Sequence, residues 1–317
     1  MVFAIVGYGR LGRAAELLLR GRRGIELFGV FSRRDNVITD YAKVLPLDKI
    51  STYKNDIDCL LICLGSSADA PIVTPMLAES FNTVDTYDNH RAIRDYLLNV
   101  GNASSKTGHT SVVSMGWDPG IMSVMRLYAS SFISNSRVSS FWGEGVSRGH
   151  TEAIKRIEGV KDAVQYTVPK NSALNLAIRG IDTGNDKDRH RRVCYVVCDD
   201  KERERVEREI RNIEDYFKGY DTEVHFISEE EFNIKHKGER HKGRVIAYGV
   251  SGAYNENVSL LDFNIEMDSN SQFTASILIS GAIACVKLNR EGKYGAYSPI
   301  DIPPKYFGND GLYYDFL

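Results

Sequence analysis

The sequence predicts an α/β chain: a doubly wound parallel sheet, followed by an α+β region with a mixed, largely antiparallel sheet. Three observations carry this. A glycine-rich turn joins the first apolar run to the first helical run. Strand-like and helical runs then alternate to about residue 117. After Pro119 the strand-like runs become rich in Val, Tyr, Phe and Ile, and helical pieces separate only the early ones.

Val2 to Val6 is apolar throughout and reads as a buried strand. It leads into Gly7-Tyr8-Gly9-Arg10-Leu11-Gly12, a complete G-x-G-x-x-G. From about Arg10 to Arg20, Leu11, Ala14, Ala15, Leu18 and Leu19 share one helical face. In this context Gly7 permits a tight turn, Gly9 lets the backbone approach a pyrophosphate, and Gly12 lets helix and strand pack closely. The free N–H groups and dipole of the helix start favour that anion. The motif therefore points to a dinucleotide, and the parallel sheet to the Rossmann type.

The second strand, Gly24 to Phe31, ends about 20 residues after the glycines, where an acid would take the ribose hydroxyls of NAD. Ser32, Arg33 and Arg34 stand there instead. Guanidinium groups bind phosphate in a bidentate way and an acid would repel it, so the expected cofactor is NADP(H). Further strands are expected in 58–67, 81–88 and 110–120. Ligands of such sheets bind beyond the carboxyl ends of the strands. Gly65-Ser66, Thr86-Tyr87-Asp88 and Met115-Gly116-Trp117-Asp118 are therefore expected to face one crevice.

A helix is expected from Pro119 to Ser134, with helical pieces at 151–158, 171–179 and 200–214 between strands. The apolar run 273–292 reads as a long helix that packs back on the first domain. The expected organisation is a dinucleotide-binding domain over 1–118, completed by 271–317, and a substrate-binding and dimerisation domain over 119–270.

Lys plus Arg number 40 and Asp plus Glu 42, a balance that argues against nucleic acid or a membrane surface as partner. No apolar run is expected to approach the roughly 20 residues of a membrane span. Cys59, Cys63, Cys194, Cys198 and Cys285 form no metal-type pair, and the first four sit in apolar strand-like runs. They read as buried free thiols, which suits a reducing cytoplasm. There is no H-E-x-x-H and no G-x-S-x-G, so metal hydrolysis and serine-nucleophile chemistry lack support. A nicotinamide would itself carry the hydride, leaving the protein to position a substrate. Asp88 and Asp118 suit an ammonium group; Arg192, Thr167, His241 and Asn270 suit carboxylates.

Taken together, AIVGYGRLGR, GVFSRR, CLGSSAD, VDTYDNH, GWDPG, FWGEGVSRGH, GVKDAVQYT, YFKGY and FTAS resemble the meso-diaminopimelate D-dehydrogenase family from near residue 1 to about residue 285. The resemblance implies an NADP-dependent enzyme and a homodimer. The implied reaction is reversible oxidative deamination at the D-centre of meso-2,6-diaminopimelate, giving L-2-amino-6-oxopimelate and ammonia. Its reverse supplies a lysine and cell-wall precursor. Carried over motif by motif, cofactor contacts fall on Tyr8 to Leu11, Ser32 to Arg34, Cys63-Leu64-Gly65-Ser66, Thr86 to Asp88 and Met115 to Pro119. Substrate contacts fall on Asp88, Asp118, Trp142, Arg148, Gly149, Thr167, Arg192, His241 and Asn270. Arg148 stands where some relatives have glutamine, and Glu144 replaces a proline. The alternatives are another Rossmann reductase of the aspartate-to-lysine pathway, or an NADP-binding sensor without turnover.

Overall fold

The computed structural model describes residues 1–308 apart from Ser67, Asp215 and Glu239, and only the backbone of Arg148. The substrate contact expected of the Arg148 side chain, and the end of the segment expected to complete the first domain, lie outside the described residues. The chain divides into two compact units, Met1–Val124 with the segment from Ser271 onward, and Met125–Asn270.

The elements follow in chain order. β1 (Val2–Val6), α1 (Arg10–Leu19), β2 (Glu26–Ser32), β3 (Val44–Pro46), β4 (Cys59–Ile62), α2 (Ala70–Ala78), β5 (Thr83–Asp85), α3 (Ile93–Ser105) and β6 (Thr110–Val112) precede α4 (Ile121–Phe132). Next come β7 (Arg137–Trp142), β8 (Gly145–Val146), α5 (Arg148–Lys155), β9 (Val160–Pro169), α6 (Asn171–Ala177), α7 (Asp186–Arg189) and β10 (His190–Cys198). The last are α8 (Arg203–Asn212), β11 (Asp221–Phe226), α9 (Glu229–Lys235), β12 (His241–Ser251), β13 (Asn257–Met267), α10 (Asn270–Arg290) and β14 (Gly295–Tyr297).

The first unit holds a seven-stranded sheet in the order β14-β6-β5-β4-β1-β2-β3, and every pairing in it is parallel. Its central strands are apolar because they are buried on both faces: Phe3 to Val6 and Cys59 to Leu61 have no exposed surface. The chain leaves β1 for β2 on one side and later adds β4 on the other. That reversal opens a crevice at the carboxyl end of β1, where the glycine turn lies.

α10 corrects one expectation. Its 21 residues are long and apolar enough, by length and composition, to cross a membrane. Burial accounts for that composition. Ala275, Leu278, Ile279, Ala282, Ala284 and Cys285 are fully covered, and Cys285 Sγ bonds the Thr110 carbonyl of β6 at 3.1 Å.

The strands of the second unit form two sheets where the sequence suggests one. β11-β10-β9-β8 is mixed, with β10 and β11 parallel, whereas β13-β12-β7 is antiparallel. β7 and β8 are separated only by Gly143 and Glu144, yet β7 pairs β12 and β8 pairs β9. Gly143, at φ +109°, makes the transfer, since a Cβ there would overlap the Thr167 carbonyl. The helix expected from Pro119 to Ser134 is shorter and starts at Ile121, because the residues before it close a separate turn.

Candidate active site

The cradle at the carboxyl end of β1 is built by close approach. Gly7 takes φ +89°, and a Cβ on Gly12 would overlap the Gly7 carbonyl, so helix and turn can meet only without side chains. Cβ atoms on Gly9 and Gly65 would instead meet no atom within 4 Å. Both residues line a cavity of about 310 Å³ together with Ser32, Arg33, Arg34 and Cys63. The first turn of α1 has no acidic residue and its N-cap, Gly9, has no capping side chain. Its N–H groups thus remain suited to an anion. The room beside Gly9 and Gly65, in a cavity that Arg33 and Arg34 also line, fits a phosphorylated dinucleotide.

The two arginines already have partners. Arg34 Nη2 donates to the Tyr8 carbonyl at 2.6 Å, and its backbone N–H donates to Ser32 Oγ at 2.9 Å. Arg33 Nη2 pairs with Asp69 Oδ1 at 2.6 Å. Behind them Glu16, fully buried in α1, accepts from Tyr8 Oη and from the backbone N–H groups of Tyr41 at 2.8 Å and Ala42 at 2.7 Å. Burial pushes the Glu16 carboxyl up, but these bonds outweigh it and hold it below the ordinary carboxylate range. Tyr8 is thereby tied to the 39–42 loop, and its hydroxyl is pushed up by burial and by Glu16.

The expected contacts after β5 and β6 are also in the first unit. Asp88 is exposed, and its N–H donates to Ser66 Oγ at 3.2 Å. Asp118 lies at the tip of a turn closed by bridges from Gly116 and Trp117 to Gly120. Gly120, at φ +137°, is required there, because a Cβ would overlap the Gly116 carbonyl. Thr86 faces the second loop: a Cβ on Gly116 would sit 4.0 Å from Thr86 Cβ. Tyr87, Met115 and Trp117 bury their side chains, at 3%, 2% and 9% exposure, so Tyr87 and Met115 can offer a ligand mainly backbone. Cys63 is half-buried at the cavity wall, less covered than the sequence suggests, because it follows the end of β4.

In the second unit, strand register does the assembling. Thr167 on β9 is opposite both Gly145 on β8 and Arg192 on β10. Arg192 Nη1 donates to Thr167 Oγ1 at 2.6 Å, and its guanidinium lies 4.1 Å from the Tyr220 ring centroid. Arg192 is only 7% exposed, and its Nε, like the Oε1 of fully buried Gln165, is buried without a hydrogen-bond partner among the described residues. A buried cation with a donor to spare is what an incoming carboxylate requires.

His241 covers Gly145, where any Cβ would overlap the imidazole ring. Its Nδ1 donates to the Lys242 carbonyl at 2.9 Å, and burial lowers its pKa, so the ring is neutral. Trp142 is held through its backbone: its N–H donates to His190 Nε2 at 3.1 Å, leaving the His190 proton on Nδ1, toward the Asp186 carbonyl at 3.3 Å. Burial pushes His190 down to about 4. Gly149 is exposed on α5 beside Tyr216. Asn270 begins α10.

Each unit therefore gathers its own share of the expected residues. Sequence reasoning missed Asp69, Glu16, Gly145, His190 and Tyr220. Asp69 and Tyr220 fall inside quoted motifs without an assigned role. So does Gly145, whereas Glu16 and His190 become visible only through contacts across strands and loops.

Residues 116–269 match the family model described as diaminopimelic acid dehydrogenase C-terminal domain. The chain is 41% identical to the meso-diaminopimelate D-dehydrogenase of Acetivibrio thermocellus, over 95% of this chain and 92% of that one. It superposes on the Corynebacterium glutamicum diaminopimelate dehydrogenase in complex with diaminopimelate at a TM-score of 0.90, with 38% identity, covering 100% of this chain and 98% of that one. An engineered D-amino acid dehydrogenase bound to NADP+ gives a TM-score of 0.86 at 36% identity, covering 100% and 98%. With likeness at that level along nearly its whole length, the chain belongs to the meso-diaminopimelate D-dehydrogenase family.

Proposed function

We propose that this chain is an NADP-dependent dehydrogenase that catalyses the reversible oxidative deamination of the D-centre of meso-2,6-diaminopimelate. The observation that carries the reading is the coexistence of two features. One is a dinucleotide cradle with Arg33 and Arg34 at its wall; the other is a buried Arg192–Thr167 pair whose Arg192 Nε has no partner among the described residues. Relatives named for this activity, one of them in complex with diaminopimelate, support the substrate.

NADP supplies the oxidant, accepting a hydride from the D-carbon. The chain's residues then have separate tasks. Gly9 and the first turn of α1 take the pyrophosphate, and Ser32, Arg33 and Arg34 take the 2′-phosphate. Asp88 and Asp118 accept hydrogen bonds from the ammonium group of the reacting centre and receive the proton it sheds as the carbon–nitrogen double bond forms. Water adds to that carbon and ammonia leaves, giving L-2-amino-6-oxopimelate. Arg192, Thr167 and neutral His241 bind carboxylate, with Trp142, Gly149, Arg148 and Asn270 completing the substrate set.

The working form is a homodimer in the cytoplasm. β13 supports the first point: it is an edge strand in its sheet, and Val258 and Leu260 on it are 59% and 48% exposed. Five free cysteines support a reducing compartment.

The test is NADPH absorbance with each isomer assayed separately. The meso isomer is expected to be oxidised, the L,L isomer to be inert, and D-alanine to be poor because it lacks the distal amino-acid end. Comparable rates on meso and L,L substrates, or on D-alanine, would remove the two-ended site.

A further inference from the structure

Asp85 ends β5, is 2% exposed, and is absent from the contacts expected of cofactor or substrate. Its carboxylate is nonetheless the junction of the two loops that carry Asp88 and Asp118. Oδ1 accepts from the N–H groups of Tyr87 and Ser114, both at 2.9 Å. Oδ2 accepts from Tyr96 Oη at 2.7 Å, and the Asp85 carbonyl accepts from the Met115 N–H at 2.7 Å. One side chain thus holds the β5 loop one residue before Asp88 and the β6 loop four residues before Asp118.

Three further features show that the junction is built for geometry. Ser114 sits at φ +60°, a left-handed conformation that a serine adopts only when its surroundings impose it, and its N–H is one of those held by Asp85. The Tyr96 ring, anchored by Asp85, stacks on Tyr87 at 3.9 Å. Gly116, two residues beyond Ser114, packs against Thr86. Removing the carboxylate leaves two buried N–H donors unsatisfied and removes the side-chain tie between the loops, leaving only backbone contacts such as the Met115 N–H bond to the Asp85 carbonyl.

We propose that Asp85 is a positioning residue for the dehydrogenase reaction: it sets the spacing of the Asp88 and Asp118 loops without touching substrate or cofactor. This rests on the assignment of Asp88 and Asp118 to the substrate amine. Since rate depends on placement within fractions of an ångström, the effect falls on turnover more than on cofactor affinity.

The test uses Asp85→Asn, Asp85→Ser and Asp85→Ala in the full chain, with kcat and KM for meso-diaminopimelate and the Kd of 2′,5′-ADP, which reports only on the Arg33–Arg34 end. Asparagine keeps an oxygen for both backbone N–H groups, so its kcat is expected within about threefold of the parent. Serine and alanine cannot reach both loops, so kcat is expected to fall at least about tenfold while the Kd of 2′,5′-ADP stays within about twofold.

Turnover retained by serine or alanine overturns the proposal. So does an asparagine variant as slow as alanine, because charge rather than geometry would then matter. So does joint loss of turnover and 2′,5′-ADP binding in both short variants, which would make Asp85 a folding residue alone. Asp88→Asn and Asp118→Asn are run beside these. Full turnover in both would sink the amine assignment itself, whereas loss there with a normal Asp85→Ala sinks only the positioning role.

Discussion

The cofactor cradle and the Arg192 row are built in opposite ways. The cradle is a run of consecutive residues, Gly7 to Gly12, closed by the next strand end at Ser32 to Arg34. The row sets Gly145, Thr167, Arg192 and Thr222 side by side on four strands, through one antiparallel pairing at each side of β9 and one parallel pairing to β11. A contiguous cradle depends on a few backbone conformations and tolerates change elsewhere. A registered row depends on every strand being in place, since a slip by one residue turns each side chain to the other face. The second design places a charge deeper: Arg192 is 7% exposed, whereas the side chain of Arg33 is 58% exposed. Loss of a group in the row should therefore cost more than loss of one in the cradle.

The sharpest way to break this comparison is Arg192→Ala. Several buried bonds to one carboxylate end are lost together, at about 1–3 kcal/mol each, so kcat/KM for meso-diaminopimelate should fall about a hundredfold or more. The Kd of NADP should be unchanged. Steady-state kinetics with both ligands varied checks this, and a fall of less than about tenfold would equalise the two regions.

Arg33→Ala with Arg34→Ala comes next. Charge-assisted bonds contribute roughly 1.5–3 kcal/mol, so KM for NADP should rise about tenfold or more, with far less change for NAD. Equal losses with the two cofactors would remove the 2′-phosphate assignment.

A stability effect follows from His190, which the fold holds neutral with its pKa near 4. Between the ordinary histidine value of about 6.5 and that value, the unfolded chain takes up a proton that the native chain does not. Stability should therefore fall as pH drops through that window, by up to roughly 3 kcal/mol from this group. Melting temperatures measured from pH 6.5 down to pH 4 should decline less steeply in His190→Gln than in the parent.

The smallest effect is expected at Asp69. Its ion pair with Arg33 is largely solvated, and such pairs contribute about 0–1 kcal/mol. Asp69→Asn should alter the NADP Kd less than about fivefold by titration. A larger change would mean that even the exposed wall of the cradle is tightly organised.

Much of the first unit was legible because its signals are short-range. The β1–turn–α1 unit needs only apolar runs and glycines at fixed spacing, and Val2–Val6 appears as read. β3, β8 and β14 were not legible: they are two or three residues long and, unlike the equally short β5 and β6, were not picked out within a longer strand-like run. α10 shows a second limit, because an apolar helix reads alike whether lipid or protein covers it. The split of the second unit into two sheets turns on the backbone at Gly143, and a lone glycine among polar neighbours does not announce which sheet each flanking strand will join.

By itself, then, the amino-acid order determined the parallel-sheet half with its glycine turn, and the family, since each is written in contiguous residues. Tertiary structure decided the rest. It placed Arg192 against Thr167 and Tyr220, put His241 over Gly145, fixed the His190 proton by giving Nε2 to the Trp142 N–H, and made Asp85 the junction of two loops. Those properties come from burial and from partners distant in sequence, and a residue's charge state, spare donors and reach exist only once those partners are in place.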